Sequence, residues 1–184
     1  MQRRTRPAAA ALGLALCLAL APSAFARDAA EETRPSGESY ARFQFGVGSY
    51  NDETSWSVYG TYGRYILNNV ALEGSVGYYS TDYSYGDMTV WPLSLSIKAG
   101  FPVQRFFPYA IAGVDLQYID EEYAGRSDSD TAVGYHIGAG LEFSLSRNVY
   151  AGVEYRYTFI EANLFGVERD LDGDEIAFTI GVRF

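Results

Sequence analysis

Residues 174–184 alternate between apolar and small or polar side chains, and this alternation constrains the fold more than any other feature of the chain. One face carries large apolar residues: Ile176, Phe178, Ile180, Val182 and Phe184. The opposite face carries Glu175, Ala177, Thr179, Gly181 and Arg183. A period of two is the period of a β-strand and not of a helix. A strand with one face this apolar needs an apolar environment, and a lipid bilayer would supply one.

Seven earlier segments repeat the alternation, so the whole chain is predicted to be all-β. The segment 133–143 shows it most clearly, with Val133, Tyr135, Ile137, Ala139, Leu141 and Phe143 on one face. The eight segments approach the roughly 9–11 residues of a tilted transmembrane strand. They predict an eight-stranded antiparallel up-and-down transmembrane β-barrel over residues 39–184.

The connections between the predicted strands alternate in length. Three are short: 67–69, 102–105 and 146–148. Three are longer, at about 80–88, 119–131 and 160–174. Short turns at one end and longer loops at the other are typical of outer-membrane barrels, where the short turns face the periplasm.

Aromatic residues mark both ends of the apolar face. A predicted girdle near the loop end contains Trp56, Tyr78, Trp91, Tyr118, Tyr135 and Tyr157. A second set near the turn end contains Tyr62, Phe101, Phe143 and Phe184. Amphipathic rings favour the membrane interface, so two girdles indicate a lipid-facing surface. The alternative is a water-soluble barrel with its apolar face inside, because alternation alone does not say which face points out.

The N-terminus has the pattern of a secretory signal. Three arginines precede an apolar stretch, and Ala24-Phe25-Ala26 forms a cleavage site, so residues 1–26 are predicted to be removed. The single cysteine, Cys17, lies in that segment. Residues 27–38 are predicted to be a loose polar leader. An exported chain of net charge −9 is not expected to bind nucleic acid.

The predicted inner face carries equal numbers of opposite charges. They are Arg42, Lys98, Arg156 and Arg183, with Glu73, Asp115, Glu142 and Glu154. An eight-stranded barrel has an interior that side chains fill, so these charges are expected to pair. Inward glycines such as Gly140 and Gly181 are expected to leave room for the long charged chains. The alternative is an ion or proton path through the interior.

Two further groups of residues suggest chemistry. His136 is the only histidine, it faces inward by pattern, and no serine stands two residues after it. We interpret it as a hydrogen-bonded interior side chain. Asp170, Asp172 and Asp174 resemble a fragment of a calcium loop, but the 12-residue pattern is incomplete, so a solvated acidic loop is favoured. The sequence therefore predicts no catalytic residues and no cofactor.

Several segments resemble the recurrent strand and turn sequences of the small outer-membrane β-barrel family. They are 65–74, 108–114 and 138–143. This family includes OmpA-type membrane domains, OmpX-like proteins and opacity-type adhesins. The resemblance implies an outer-membrane location after export, and Phe184 as part of the signal that the barrel-assembly machinery reads. It also implies contacts with periplasmic chaperones during biogenesis, and with outer-membrane lipid and lipopolysaccharide afterwards.

Three functions remain open at this point. The first is a non-enzymatic barrel that acts in envelope integrity or adhesion, with a surface ligand bound by its acidic, tyrosine-rich loops. The second is an OmpW-like conduit for small hydrophobic compounds, which needs a hydrophobic trough that the charged inner face does not offer. The third is a lipid A-modifying enzyme, which would have to use His136.

Overall fold

The computed structural model describes residues 33–50, 53–83, 86–123, 126–164, 167–170 and 172–184. These residues form strands β1 (Ser39–Tyr50), β2 (Glu53–Leu67), β3 (Val70–Tyr83), β4 (Gly86–Gly100), β5 (Phe106–Tyr123), β6 (Arg126–Ser144), β7 (Val149–Leu164), β8 (Val167–Asp170) and β9 (Gly173–Arg183). No helix among the described residues is long and apolar enough to cross a membrane. The predicted signal, residues 1–26, lies outside the described residues.

Eight of the strands close into an antiparallel barrel. Each strand from β1 to β7 pairs with the next, and β9 pairs with both β1 and β7. The short β8 pairs only with the far end of β7, beyond the barrel wall. The predicted fold, an eight-stranded up-and-down barrel, is therefore confirmed, and β9 is its eighth strand.

The register fixes how strongly the strands are inclined. A row of paired residues leaves β6 at Gly134, runs through β5, β4, β3, β2, β1, β9 and β7, and returns to β6 at Ser144. The offset is 144 − 134 = 10 residues. Closing a sheet with such a stagger requires tilted strands, and eight strands leave an interior just wide enough for side chains.

The apolar face points outward. Phe178 at 65% exposure, Val133 at 70% and Leu93 at 57% lie on the outer wall with many similar residues. The inward positions of the same strands are occupied mainly by polar, charged, glycine and tyrosine residues. This arrangement contradicts the water-soluble alternative, in which the apolar face would be inside. A continuous exposed apolar band of this kind is a surface for lipid.

The two ends of the barrel differ in their connections. The three short turns lie where they were predicted. The three longer connections were wrongly predicted as loops, because β3 to β7 continue as paired strands through most of those segments. For example, β5 runs to Tyr123 and pairs there with Arg126 of β6. These segments contain polar residues on both faces, so the apolar alternation ends although the backbone pairing continues.

The end of the polar leader is ordered against the barrel, contrary to the prediction that it is loose. The amide of Gly37 donates to the carbonyl of Tyr65 at 2.8 Å, and the amide of Asn69 donates to the carbonyl of Arg34 at 3.0 Å. The Arg34 side chain is buried, with its guanidinium carbon 5.1 Å from the centre of the Phe107 ring. The segment therefore enters the turn end of the barrel.

Candidate functional site

The barrel interior is the candidate site, because it gathers the charged residues. All eight charges that the pattern placed inside have buried side chains. Two more join them: Glu175 and Arg34. The described interior thus holds five cationic side chains and five carboxylates: Arg34, Arg42, Lys98, Arg156 and Arg183, with Glu73, Asp115, Glu142, Glu154 and Glu175. The alternation of the last strand placed Glu175 on the inward face, but its position at the strand end led us to count it with the loop charges. Arg34 precedes the first alternating segment, so the pattern gave no sign that it is inside.

Glu154 is the centre of the first half of this network. Its carboxylate accepts from Arg156 Nη2 at 2.8 Å and from Arg42 Nη1 at 3.0 Å. The hydroxyl of Tyr109 donates to the same carboxylate at 2.8 Å. Arg42 also donates to Glu73 Oε2 through Nη2 at 2.6 Å. One guanidinium therefore bridges two carboxylates that come from β3 and β7.

Lys98 continues the network toward the turn end. Its ammonium lies 3.5 Å from Glu73 Oε1 and also donates to Glu142. Arg183 Nη2 is 3.6 Å from the other oxygen of Glu142. Seven charges thus alternate in sign across the interior, in the order Arg156, Glu154, Arg42, Glu73, Lys98, Glu142 and Arg183. We call this set the charge chain.

Alternation of sign is what makes the charge chain tolerable inside a barrel. A buried charge without a partner is strongly unfavourable, whereas each inner member here has an opposite charge on both sides. Charge-assisted hydrogen bonds add to this pairing. Lys98 also lies 4.2 Å above the ring of Tyr109, a favourable position for a cation. The charge chain thus crosses the lumen with four cationic and three anionic side chains of alternating sign.

The eighth predicted member, Asp115, is not part of the charge chain. Its carboxylate accepts from His136 Nδ1 at 2.8 Å, so it pairs with the histidine and not with an arginine. The other ring nitrogen, Nε2, lies 3.0 Å from Ser96 Oγ. A carboxylate can only accept, so Nδ1 donates to Asp115, and Nε2 shares the second hydrogen bond with the Ser96 hydroxyl.

Ser96, His136 and Asp115 therefore have the connectivity of a nucleophile, a base and an orienting carboxylate. The sequence search for a serine beside His136 failed because Ser96 is on β4, two strands away from β6. All three side chains are at most 4% exposed and face the lumen, not the lipid. With this burial, the geometry fits a structural hydrogen-bond network better than a site that a substrate enters.

Aromatic rings fill the interior beneath the charge chain. Four inward tyrosines, one of them beside Arg156 at the loop side of the chain, lie directly opposite glycines on a neighbouring strand. The pairs are Tyr40 with Gly63, Tyr59 with Gly77, Tyr109 with Gly140, and Tyr150 with Gly181. A Cβ atom built on any of these glycines would collide with the facing ring. Gly140 and Gly181 therefore make room for tyrosine rings, and not for charged chains as predicted.

The predicted girdle residues all lie on the outer wall at the loop end. Trp56 contacts Tyr78, and Tyr78 contacts Trp91, with ring centres 5.4 and 4.9 Å apart. Tyr118 is paired with Trp91 across β4 and β5. Phe159, which joins this girdle, stacks on Tyr135 at 4.7 Å and contacts Tyr157 at 4.6 Å. Their role as interface anchors stays a prediction.

Among the described residues, no three histidine, cysteine or carboxylate side chains come together to hold an ion. Asp172 Oδ1 accepts from the backbone amide of Ile160 at 3.2 Å, and Asp170 is paired with Glu161 in the β7–β8 hairpin. The solvated acidic loop stays the favoured prediction for this segment, with calcium binding by Asp170, Asp172 and Asp174 as the alternative.

Phe184 lies on the outer wall at the turn end. It is 66% exposed, and its ring centre is 6.4 Å from that of Tyr62. Its backbone amide and carbonyl pair with Ser39 at the start of β1, at 2.9 and 3.0 Å. The residue thus helps to join the first and last barrel strands. Its part in assembly is a prediction.

A closed eight-stranded barrel with an apolar outer band and a filled polar interior defines a small transmembrane barrel. Residues 10–184 match the model of the family described as outer membrane protein beta-barrel domain, and this protein belongs to that family. It is an outer-membrane β-barrel protein of the bacterial outer membrane. The fold, family and location predicted from the sequence are confirmed.

Similar proteins support the same conclusion. A 22 kDa outer membrane protein of Rhizobium leguminosarum is 27% identical over 121 residues, covering 61% of this chain and 57% of that protein. The match thus spans little more than half of the relative. The crystal structure of Neisserial surface protein A has a TM-score of 0.67 at 18% identity, covering 80% of this chain and 96% of that one.

A further solved structure has the same fold. Ail, the attachment invasion locus protein of Yersinia pestis, in complex with the heparin analogue sucrose octasulfate, has a TM-score of 0.55 at 18% identity. The similarity covers 81% of this chain and 99% of that one. At this identity the likeness concerns the barrel architecture alone.

Proposed function

We propose that this protein is a non-enzymatic barrel with a closed interior, acting in envelope integrity or in surface interaction through its extracellular hairpins. The charge chain carries the first part of the proposal. A permeating ion would have to break several buried pairs, including the 2.6 Å contact between Arg42 and Glu73. Each broken pair leaves an unpaired buried charge, which is strongly unfavourable.

Planar-bilayer recording tests the closed interior. The purified protein is expected to give no steady conductance. A double variant, Arg42→Ala with Glu154→Ala, removes the bridge between β1 and β7 and tests whether the chain is what blocks the lumen. Steady, selective current through the unmodified protein would overturn the proposal.

The composition of the extracellular hairpins supports the second part of the proposal, surface interaction. They contain many carboxylates and two arginines: Asp82, Asp87, Asp120, Glu121, Glu122, Asp128, Asp130, Glu161, Glu168, Asp170, Asp172 and Asp174, with Arg126 and Arg169. They also contain tyrosines, which give large contact area at low entropic cost. Ail is described in complex with a heparin analogue, but these acidic hairpins would repel a sulfated polymer. We therefore propose that any surface ligand is neutral or cationic.

Two measurements test this surface role. Proteolysis of intact cells is expected to cut within 119–131 and 160–174 and to spare the turns at 67–69, 102–105 and 146–148. Purified protein is expected to pass through a heparin column at low salt without retention, and retention would contradict the charge argument. Loss of cell adhesion on deletion of the hairpin tips would support the surface role.

The contact between Ser96 and His136 favours a second candidate, a lipid A-modifying enzyme. Such an enzyme would need these groups to reach lipid, whereas both point into the lumen and are at most 2% exposed. Mass spectrometry of lipid A from cells with the protein and with its Ser96→Ala variant tests this directly. We expect identical spectra.

An OmpW-like conduit would need a hydrophobic trough through the interior. The charge chain occupies that space, so it argues against this function.

A further inference from the structure

One exposed arginine lies in or beside each of the three short turns. Arg105 lies between β4 and β5, and Arg147 between β6 and β7. Arg64 lies on the outer wall in β2, three residues before that strand ends at Leu67. Within the described part of the chain, none of the three guanidinium groups has an ion-pair or hydrogen-bond partner. The three hairpins are spread around the barrel, so the arginines form a ring at this rim.

Exposed apolar side chains accompany these arginines. Leu67 ends β2 three residues after Arg64 at 63% exposure, Phe106 follows Arg105 at 43%, and Leu145 lies two residues before Arg147 at 54%. An arginine extends its apolar stem along such a surface while its guanidinium reaches toward polar groups. This combination is suited to the boundary between acyl chains and headgroups.

The exposed ionic side chains of the described turns have one sign. The carboxylate of Glu142 is buried and paired inside the barrel, and that of Glu38 is half-buried against it. The exposed ionic groups of the described turns are therefore the three guanidinium groups. A guanidinium matches a phosphate in charge and in the geometry of its paired donors. The turn end faces the periplasmic leaflet, as its short connections indicate.

We propose that Arg64, Arg105 and Arg147 bind the phosphate groups of anionic phospholipids in the periplasmic leaflet. The inference rests on the membrane orientation and not on the closed interior or the surface ligand. It gives the turns a function besides connecting strands.

The experiment compares lipid preference in nanodiscs that contain phosphatidylglycerol and phosphatidylcholine. Native mass spectrometry counts the phosphatidylglycerol molecules that remain bound. The variant R64Q/R105Q is matched with R126Q/R169Q, which removes the same charge from the opposite end. Each of the three arginines is expected to increase the preference for phosphatidylglycerol over phosphatidylcholine about fivefold. R64Q/R105Q should therefore lose about twentyfive-fold, and R126Q/R169Q should keep the preference of the unmodified protein.

Further variants distinguish a lipid site from loss of folding. R105Q/R147Q should behave as R64Q/R105Q does, and R64K/R105K should keep most of the preference. Heat-modified migration on gels checks that each barrel is folded. An unchanged preference in folded R64Q/R105Q, or an equal loss in R126Q/R169Q, overturns the proposal. A further arm replaces phosphatidylglycerol with lipid A, and lipid A retention that depends on Arg64 and Arg105 would overturn the assignment to the periplasmic leaflet.

Discussion

The lumen has two unlike halves separated by the charge chain. The half near the short turns is filled by aromatic and aliphatic side chains: Tyr40, Tyr65, Ala71, Phe107, Tyr109, Ile111 and Tyr150. The half near the long hairpins begins with a band of small hydroxyl and amide side chains: Gln44, Ser57, Ser75, Ser94, Ser96 and Gln117. Buried Tyr79, Val90, Ile119 and Ile160 follow farther toward the hairpins. Both halves face inward by the same alternation of the same strands.

The difference shows that one sequence period supports two ways of filling a barrel. Below the charge chain, large rings interlock with glycines, so shape decides what fits. Above it, short polar side chains lie between the charge chain and the apolar residues near the hairpins, and the buried Ser75 hydroxyl has no hydrogen-bond partner within the described chain. Buried water normally satisfies such groups. We therefore expect stability to depend on the lower half and the charge chain more than on the upper half.

The largest expected effect is at the boundary between the halves. Glu154→Ala leaves Arg42 and Arg156 without their shared carboxylate, and we expect the free energy of unfolding to fall by about 3–5 kcal/mol. Urea titration in lipid vesicles, followed by tryptophan fluorescence, measures it. Glu175→Gln is the upper-half comparison, because Glu175 accepts a 2.6 Å bond from Ser57 and faces Arg156 across β7 and β9 without a direct ion pair. An equal loss of unfolding free energy in both variants would contradict the expectation that the charge chain contributes more to stability than the upper half.

Substitutions at two tyrosines of the lower half distinguish the contribution of hydrogen bonding to stability from that of packing. Tyr109→Phe removes the hydroxyl that donates to Glu154 at 2.8 Å, and a hydrogen bond to a charged group stabilises by about 1.5–3 kcal/mol. Tyr150→Phe removes a hydroxyl without a partner in the described chain, so the same titration should show no loss. If Tyr150→Phe lowers the free energy of unfolding as much as Tyr109→Phe does, then the Tyr109 hydroxyl bond has no special contribution.

Substitutions of one inward and one outward glycine test whether tyrosine rings and glycines pack tightly below the charge chain. Gly181→Ala places a methyl group against the Tyr150 ring, and overpacking of this kind typically destabilises by about 1–3 kcal/mol. Gly74→Ala is the control, because it lies on the outer wall with no atom within 4 Å of the added group. Thermal unfolding in the same lipid compares them. Equal midpoints for Gly181→Ala and the unmodified protein would contradict tight packing below the charge chain.

The smallest expected effects lie in the upper half. Ser96→Ala removes the hydroxyl bonded to His136 and should cost about 1 kcal/mol in unfolding free energy. Ser75→Ala removes a hydroxyl with no partner in the described chain and should change stability by about 0.5 kcal/mol or less. Chemical denaturation of the two variants side by side measures the difference. A larger loss for Ser75→Ala would mean that the upper half is packed as tightly as the lower.

Much of the fold could be predicted because a barrel strand is a local pattern. Alternation identified all eight wall strands and placed Arg42 and Glu154 inside without knowledge of their partners. It gave no sign of Arg34, and prediction failed at segment ends, where Glu175 was counted with the loop charges and where paired hairpins were taken for loops. At those ends both faces are polar, so the period that distinguishes inside from outside is lost.

The sequence by itself determined which side chains face lipid and which face the lumen, because that choice depends only on position within a strand. Only the tertiary structure decided which inward groups meet. Arg42 and Glu154 are 112 residues apart, and His136 reaches Ser96 across 40 residues. These contacts depend on the ten-residue stagger at which the sheet closes, and no local pattern contains that quantity.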